Sequence, residues 1–133
     1  ARARIDRLEP IEAWEQATSG TALLVDIRCE DVRRETGVVP GSVHIPRTVL
    51  EWRVDPDSEW RNPYVLERER RLVLLCSDGF SSSLAAASLV DLGLARAADV
   101  IGGFCAWRDA CLPLVVPPHA RDGAIAGMGG PDR

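Results

Sequence analysis

Cys76 is the residue of this chain best placed to do covalent chemistry. It follows the apolar run Leu72-Val73-Leu74-Leu75 and heads the loop Cys76-Ser77-Asp78-Gly79-Phe80-Ser81, after which residues 82–92 read as a helix stopped by Gly93. A thiol between a strand end and a helix N-terminus faces backbone N–H groups that have no partner within the helix. Ser81-Ser82-Ser83 can cap that helix, and the free amides would point above the sulfur. Such a cradle favours an anion: a thiolate over a thiol, and then a persulfide or an oxyanion such as thiosulfate.

Other chemistries find less support. Cys29, Cys76, Cys105 and Cys111 form no Cys-x-x-Cys pair and only His44 and His119 accompany them, so zinc spacing is absent and no metal is expected. Reduced thiols are expected in preference to a disulfide framework. Neither histidine has a nucleophile partner in sequence, which argues against a Cys-His hydrolase. An inert core role for Cys76 fits poorly with a Gly- and Ser-rich loop, whereas Cys29 reads as structural or incidental and Cys105 and Cys111 as packing residues. Trp14, Trp52, Trp60 and Trp107 read as core or loop anchors, with Trp14 and Trp107 on apolar helix faces.

The chain has 133 residues, 46% of them hydrophobic, enough for one core. A single domain over residues 1–114 and a loosely ordered tail over 115–133, rich in proline and glycine, are expected. A net charge of -4 without a Lys/Arg block excludes a phosphate-backbone surface, so nucleic acid is not an expected partner. No run approaches the ~18 apolar residues of a membrane span, nor does Ala1-Arg2-Ala3-Arg4-Ile5 hold a signal peptide's apolar stretch. A cytoplasmic location and no membrane partner are expected.

Several elements must position the cysteine. Residues 8–19 place Leu8, Ile11, Trp14 and Ala17 at helical spacing, and Ala22-Leu23-Leu24-Val25-Asp26-Ile27 reads as a strand buried on both faces. A charged helix over 30–35 follows, then a turn at Val38-Val39-Pro40-Gly41 and a short strand, Ser42-Val43-His44-Ile45. Residues 47–54 form a helical turn or two with Val49, Leu50 and Trp52 as apolar positions, before the turn-rich stretch Asp55-Pro56-Asp57-Ser58, and the following segment to Tyr64 is an ordered excursion. Val100-Ile101 is the core of another strand, broken by Gly102-Gly103, and Phe104, Trp107 and Ala110 give a final helix its buried stripe. Alternating strands and helices predict an α/β fold of three layers, a mostly parallel sheet with helices on both faces.

Four motifs in this order resemble the rhodanese family over about Leu23 to Pro113. Leu24-Val25-Asp26-Ile27-Arg28 is similar to its Asp-x-Arg strand end, and Val39-Pro40-Gly41-Ser42-Val43-His44-Ile45-Pro46 to its Ile-Pro-Gly-Ala segment. Cys76 to Gly93 resembles the catalytic loop and its helix, and Ile101-Gly102-Gly103-Phe104-Cys105-Ala106-Trp107 with Leu112-Pro113 the Gly-Gly-Phe-x-Ala-Trp ending. The resemblance implies a rhodanese-like fold and a sulfurtransferase. In that reading a sulfane sulfur passes from a small-molecule donor through a Cys76 persulfide to a thiophilic acceptor, a small molecule or a protein. Cys76 is then the nucleophile, and Ser77, Asp78, Gly79, Phe80, Ser81 and Ser82 line the substrate site with their amides and the Ser81 and Ser82 hydroxyls. Arg28 joins them as a candidate, with fixing loops together with Asp26 as its other role, and no metal or organic cofactor is required.

The loop departs from the family pattern in lacking a cation: Ser77 and Ser81 stand where basic residues are common, Asp78 adds negative charge, and Val38 replaces a histidine after Gly37. Affinity for thiosulfate is thereby reduced, leaving Arg28, Arg47 and Arg53 as the cations other loops offer. One rival is a non-catalytic or redox-sensing module of the same fold. The other, a cysteine phosphatase or arsenate reductase, requires an arginine six positions after the cysteine to clamp an oxyanion, and that position is Ser82.

Overall fold

A computed structural model of the chain describes residues 5–55, 57–61 and 71–116. Strands β1 (Asp6–Leu8), β2 (Ala22–Asp26), β3 (Val43–His44), β4 (Arg71–Leu75) and β5 (Ala98–Val100) form one sheet in the order β1-β5-β4-β2-β3. All four pairings are parallel, which bears out the α/β expectation. Helices α1 (Pro10–Thr18), α2 (Glu30–Thr36), α3 (Leu50–Val54), α4 (Ser81–Asp91) and α5 (Gly103–Asp109) connect them, and one 3-10 turn over Arg47–Val49 leads into α3. Among the described residues no helix is long and apolar enough to cross a membrane.

The period of two along each strand divides the core into two faces. Leu23 and Val25 of β2 and Leu72 and Leu74 of β4 pack with Leu50, Val54, Ala85, Ala86 and Leu89 from α3 and α4. Leu24, Val73 and Leu75 point the other way, onto Ala13 of α1 and Phe104 and Trp107 of α5. There Trp14 meets Trp107 edge to face with ring centroids 5.8 Å apart, and the Trp107 indole N–H donates to the Pro113 carbonyl. Burial on both faces explains why β2 and β4 carry near-continuous apolar runs.

Several details differ from the sequence expectation. Leu8 closes strand β1 and is not a helix residue: β1 is only Asp6–Leu8, too short to alternate visibly, and owes its form to parallel pairing with β5. Helix α1 starts at Pro10 and buries Pro10 and Ala13, leaving Ile11 about half exposed. Helix α3 buries Leu50 and Val54, four apart, so Trp52 between them faces outward, and Trp60 is also exposed. Helix α5 buries Phe104 and Trp107, which turns Cys105 out; Ala110 and Cys111 follow the last turn and are exposed too. Strand β5 ends at Val100, before Ile101. The excursion after α3 is held in turns through Arg61, and its continuation to Tyr64 lies outside the described residues. Val115, placed in the tail by composition, forms an antiparallel bridge with Val38; the tail from residue 117 also lies outside them.

The Asp-x-Arg motif at the end of β2 forms a buried frame. Arg28 donates from Nε to Asp26 Oδ1 at 2.9 Å and from Nη2 to Asp26 Oδ2 and the Gly37 carbonyl, both at 2.8 Å. Its Nη1 donates to Thr36 Oγ1 at 2.8 Å, and the guanidinium lies 4.0 Å from the Phe104 ring centroid. Burial pushes the Asp26 carboxyl up, but hydrogen bonds and charge from Arg28, aided by Arg33, outweigh it and hold Asp26 below the usual carboxylate range. A carboxyl lowered in the folded state contributes stability above its unfolded value, about 4, and loses that contribution as pH falls through the lower folded value. Stability measured by urea unfolding is therefore expected to fall below about pH 4 and to fall less steeply in Asp26→Asn. Glu51, also lowered by Ser88 and Arg47 against its own desolvation, adds to the same acid loss.

Candidate active site

Strand β4 lies in the middle of the sheet, and its neighbours leave in opposite directions: β2 leads toward β3 on one side, β4 toward β5 on the other. Such a reversal opens a crevice at the carboxyl ends of the strands. Cys76 follows Leu75 at that end. Its side chain continues the alternation of Leu72 and Leu74 toward α4 and is 4% exposed.

The loop folds back over the sulfur. Cys76 Sγ accepts the Gly79 N–H at 3.0 Å and the Ser82 N–H at 3.3 Å. The second of these belongs to the first turn of α4, whose N-cap is Phe80 and has no side-chain capping bond. The sulfur thus occupies the place of a capping oxygen, contrary to the expected cap from the serine run. Ser83 instead donates its hydroxyl back to the Phe80 carbonyl at 2.7 Å. Gly79, at φ +91, turns the chain so that its N–H faces the sulfur.

Not every loop group meets the sulfur. The Phe80 N–H donates to Asp78 Oδ1, and that carboxylate oxygen lies 4.0 Å from Cys76 Sγ. Asp78, Phe80 and Ser81 are exposed at the rim, Ser77 is half-buried, and Gly79 and Ser82 are buried. Arg28 sits in the frame below, with its donors on Asp26, Thr36 and Gly37. Arg47 pairs with Glu51 and Arg53 donates to the Trp60 carbonyl. His44 is held between the Arg28 carbonyl and Glu30, and Cys29 is exposed at the start of α2.

The loop rests on the Gly102-Gly103 turn that opens α5. Its carbonyls are held from beneath, because the Phe104 N–H donates to the Cys76 carbonyl at 2.7 Å and the Cys105 N–H to the Ser77 carbonyl at 3.0 Å. A methyl on Gly103 would lie 2.4 Å from the Cys76 carbonyl oxygen and 2.8 Å from the Asp78 and Gly79 nitrogens.

Two residues at the site escaped the sequence reading, Arg7 and Asp99. The Asp99 carboxylate is wholly buried; it takes the Ser82 hydroxyl at 2.7 Å and Arg7 through Nε at 2.8 Å and Nη2 at 3.0 Å. Arg7 also donates to the Gly79 carbonyl at 2.9 Å. The hydrogen bonds to Asp99 hold the Arg7 guanidinium above its ordinary value in spite of burial. The sequence signal was a lone acid inside the short apolar stretch Ala97-Ala98-Asp99-Val100, since an unpaired buried carboxylate is rare.

Residues 9–110 match the rhodanese-like domain family. A protein named sulfurtransferase from Allochromatium vinosum is 29% identical over 101 residues, covering 76% of this chain and 85% of the relative. A thiosulfate sulfurtransferase of Actinobacillus succinogenes is 27% identical over 107 residues, covering 80% and 87%. Among solved structures, a Rhodopseudomonas palustris protein of unknown function, described as a possible tyrosine phosphatase, superposes with a TM-score of 0.77 at 36% identity, covering 84% of this chain and 86% of that one.

Proposed function

Because the chain belongs to the rhodanese-like domain family, we propose that it is a sulfurtransferase in which Cys76 takes a sulfane sulfur from a donor such as thiosulfate and passes it to a thiophilic acceptor. The observation that carries this reading is the Cys76 sulfur held by the Gly79 and Ser82 amides at the mouth of the central strand. In the first step the thiolate attacks the outer sulfur of thiosulfate; a Cys76 S–S bond forms, the donor S–S bond breaks, and sulfite leaves with the electron pair. In the second, an acceptor such as cyanide or a thiolate takes that outer sulfur and Cys76 returns as thiolate. Amides that already point at the sulfur stabilise the thiolate and the persulfide anion without having to turn. Gly79 and Ser82 serve here through their amides, Ser77, Asp78, Phe80 and Ser81 line the approach, and Arg28 acts through the frame.

The cation-poor loop favours a donor less charged than thiosulfate, because Asp78 meets any dianion that approaches the sulfur. Phosphate-ester hydrolysis, raised by the description of the Rhodopseudomonas palustris relative, fits less well. The clamp position holds Ser82, and its hydroxyl hydrogen is engaged by Asp99; a hydroxyl has no bidentate fork. Incubation with thiosulfate, 3-mercaptopyruvate or glutathione persulfide, followed by peptide mass spectrometry, is expected to add the mass of one sulfur to the Cys76 peptide. No gain from any donor would overturn the reading.

A further inference from the structure

The alternation of the strands sets Arg7 of β1 opposite Asp99 of β5 in register, and turns Asp99 and Cys76 toward the same helix, α4. The result is a continuous chain from Arg7 through Asp99 and Ser82 to the sulfur, closed by the bond from Arg7 to the Gly79 carbonyl. Ser82 has a single hydroxyl proton. Its bond to the buried carboxylate is 2.7 Å, charge-assisted and short, whereas Ser82 Oγ lies 3.3 Å from Cys76 Sγ. With its proton on Asp99, Ser82 presents only lone pairs to the sulfur.

We propose that Arg7, Asp99 and Ser82 are a positioning device that keeps the Ser82 hydroxyl an acceptor for the Cys76 S–H, restraining the resting thiol from ionising. The inference rests on Cys76 being the reactive group of the site described above. Arg7 fixes Asp99 through two bonds, so the carboxylate cannot turn away, and a thiolate at Cys76 meets two amide donors and one oxygen lone pair. Ionisation is complete only when Ser82 turns its proton from Asp99 to sulfur, with Arg7 then left to hold Asp99 alone.

Among the described residues few other charges face the sulfur. Asp78 of the loop itself opposes a thiolate. Asp26 and Arg28, at the end of the neighbouring β2, pair with one another, the acid of α3, Glu51, is bonded to Ser88 and Arg47, and α4 carries no charged residue before Asp91. Arg108 and Asp109 stand at the far end of α5 and pair with each other.

The test is the pH profile of Cys76 alkylation by iodoacetamide, between about pH 5 and 9, read on the Cys76 peptide by mass spectrometry so that the exposed thiols do not contribute. Removing the acceptor in Ser82→Ala is expected to move the profile to lower pH and to speed alkylation at neutral pH about threefold, the size of one hydrogen bond. Asp99→Asn, whose amide can donate to Ser82 and release the hydroxyl proton toward sulfur, is expected to move it further in the same direction. The Asp99→Asn shift should shrink in the Ser82→Ala background to what the lost carboxylate charge contributes directly, since the rest acts through that hydroxyl. An unchanged profile in Ser82→Ala, or one moved to higher pH, overturns the proposal and makes Ser82 a donor to the thiolate. A full Asp99→Asn shift in the double variant overturns it too. Ser82→Ala decides the matter alone if Asp99→Asn does not fold. Alkylation is independent of sulfur transfer: a shifted profile in a protein that takes no sulfur from any donor would keep this inference and reject the transfer reading.

Discussion

Cys76→Ser is expected to abolish sulfur transfer while the protein folds as before. A serine oxygen can accept the Gly79 and Ser82 N–H groups that the sulfur accepts at 3.0 and 3.3 Å, so the loop keeps its internal bonds and the pocket its volume. An alkoxide is far harder to form at neutral pH than a thiolate, and a hydroxyl cannot carry a sulfane sulfur. Turnover with cyanide as acceptor should fall by at least about a thousandfold, the scale of losing a covalent nucleophile, with the circular dichroism spectrum and the thermal midpoint little changed. Cys29→Ala, Cys105→Ala and Cys111→Ala supply the comparison. Their side chains are exposed, and each variant should retain most transfer, because one carrier thiol serves both half-reactions. A loss in Cys29→Ala equal to that in Cys76→Ser would mean that a second thiol resolves the intermediate.

Gly103→Ala is expected to cost on the order of 4 kcal/mol of stability, a drop in thermal midpoint of roughly 15 °C. Gly103 has φ +62, where an alanine carries a strain of about 1 to 2 kcal/mol. The larger part comes from contact, since the new methyl would sit 2.4 Å from the Cys76 carbonyl oxygen and 2.8 Å from the Asp78 and Gly79 nitrogens. These are backbone atoms and cannot step aside as a flexible side chain does. Either the loop or α5 must withdraw, and the bonds from the Phe104 and Cys105 amides to the loop carbonyls lengthen or break. Ala87→Gly is a useful contrast. It lies in the interior of α4, away from the loop, so it should lose about 2 kcal/mol, the glycine propensity cost plus one buried methyl, and leave Cys76 reactivity alone. If Gly103→Ala unfolded no more readily than the parent chain, the close approach of the two segments would be refuted.

Much of the architecture was readable from local pattern. The apolar runs of β2 and β4, the helical break at Gly93 and the Gly102-Gly103 turn are consequences of residue types acting on their own backbone, through burial or through the positive φ that glycine tolerates. The cysteine at a strand end, followed by a short loop and a helix, is also a local signal, and it marks the candidate site without any long-range contact. Element ends and exposures were less legible. Leu8 could be counted on a helical stripe because β1 holds three residues, too few to display a period, and only hydrogen bonds from β5 make it a strand. Trp52 and Cys105 face outward because their helices bury other positions, a choice made by what those helices pack against.

That an α/β sheet presents Cys76 to a short loop and a helix N-terminus follows from residue types alone, because strand, turn and helix preferences act within a few residues. Which groups reach the sulfur, and where the cations go, depends on long-range packing. Gly79 and Ser82 supply the amides while Phe80 turns its N–H to Asp78, a matter of where each peptide points. Arg28, a cation offered by sequence, is drawn into the frame with Asp26. Arg7, which no spacing singled out, meets Asp99 from 92 residues away. That meeting depends on β1 lying beside β5 in the sheet order, and strand order is set by how both faces of the whole sheet are covered, which no window of sequence contains.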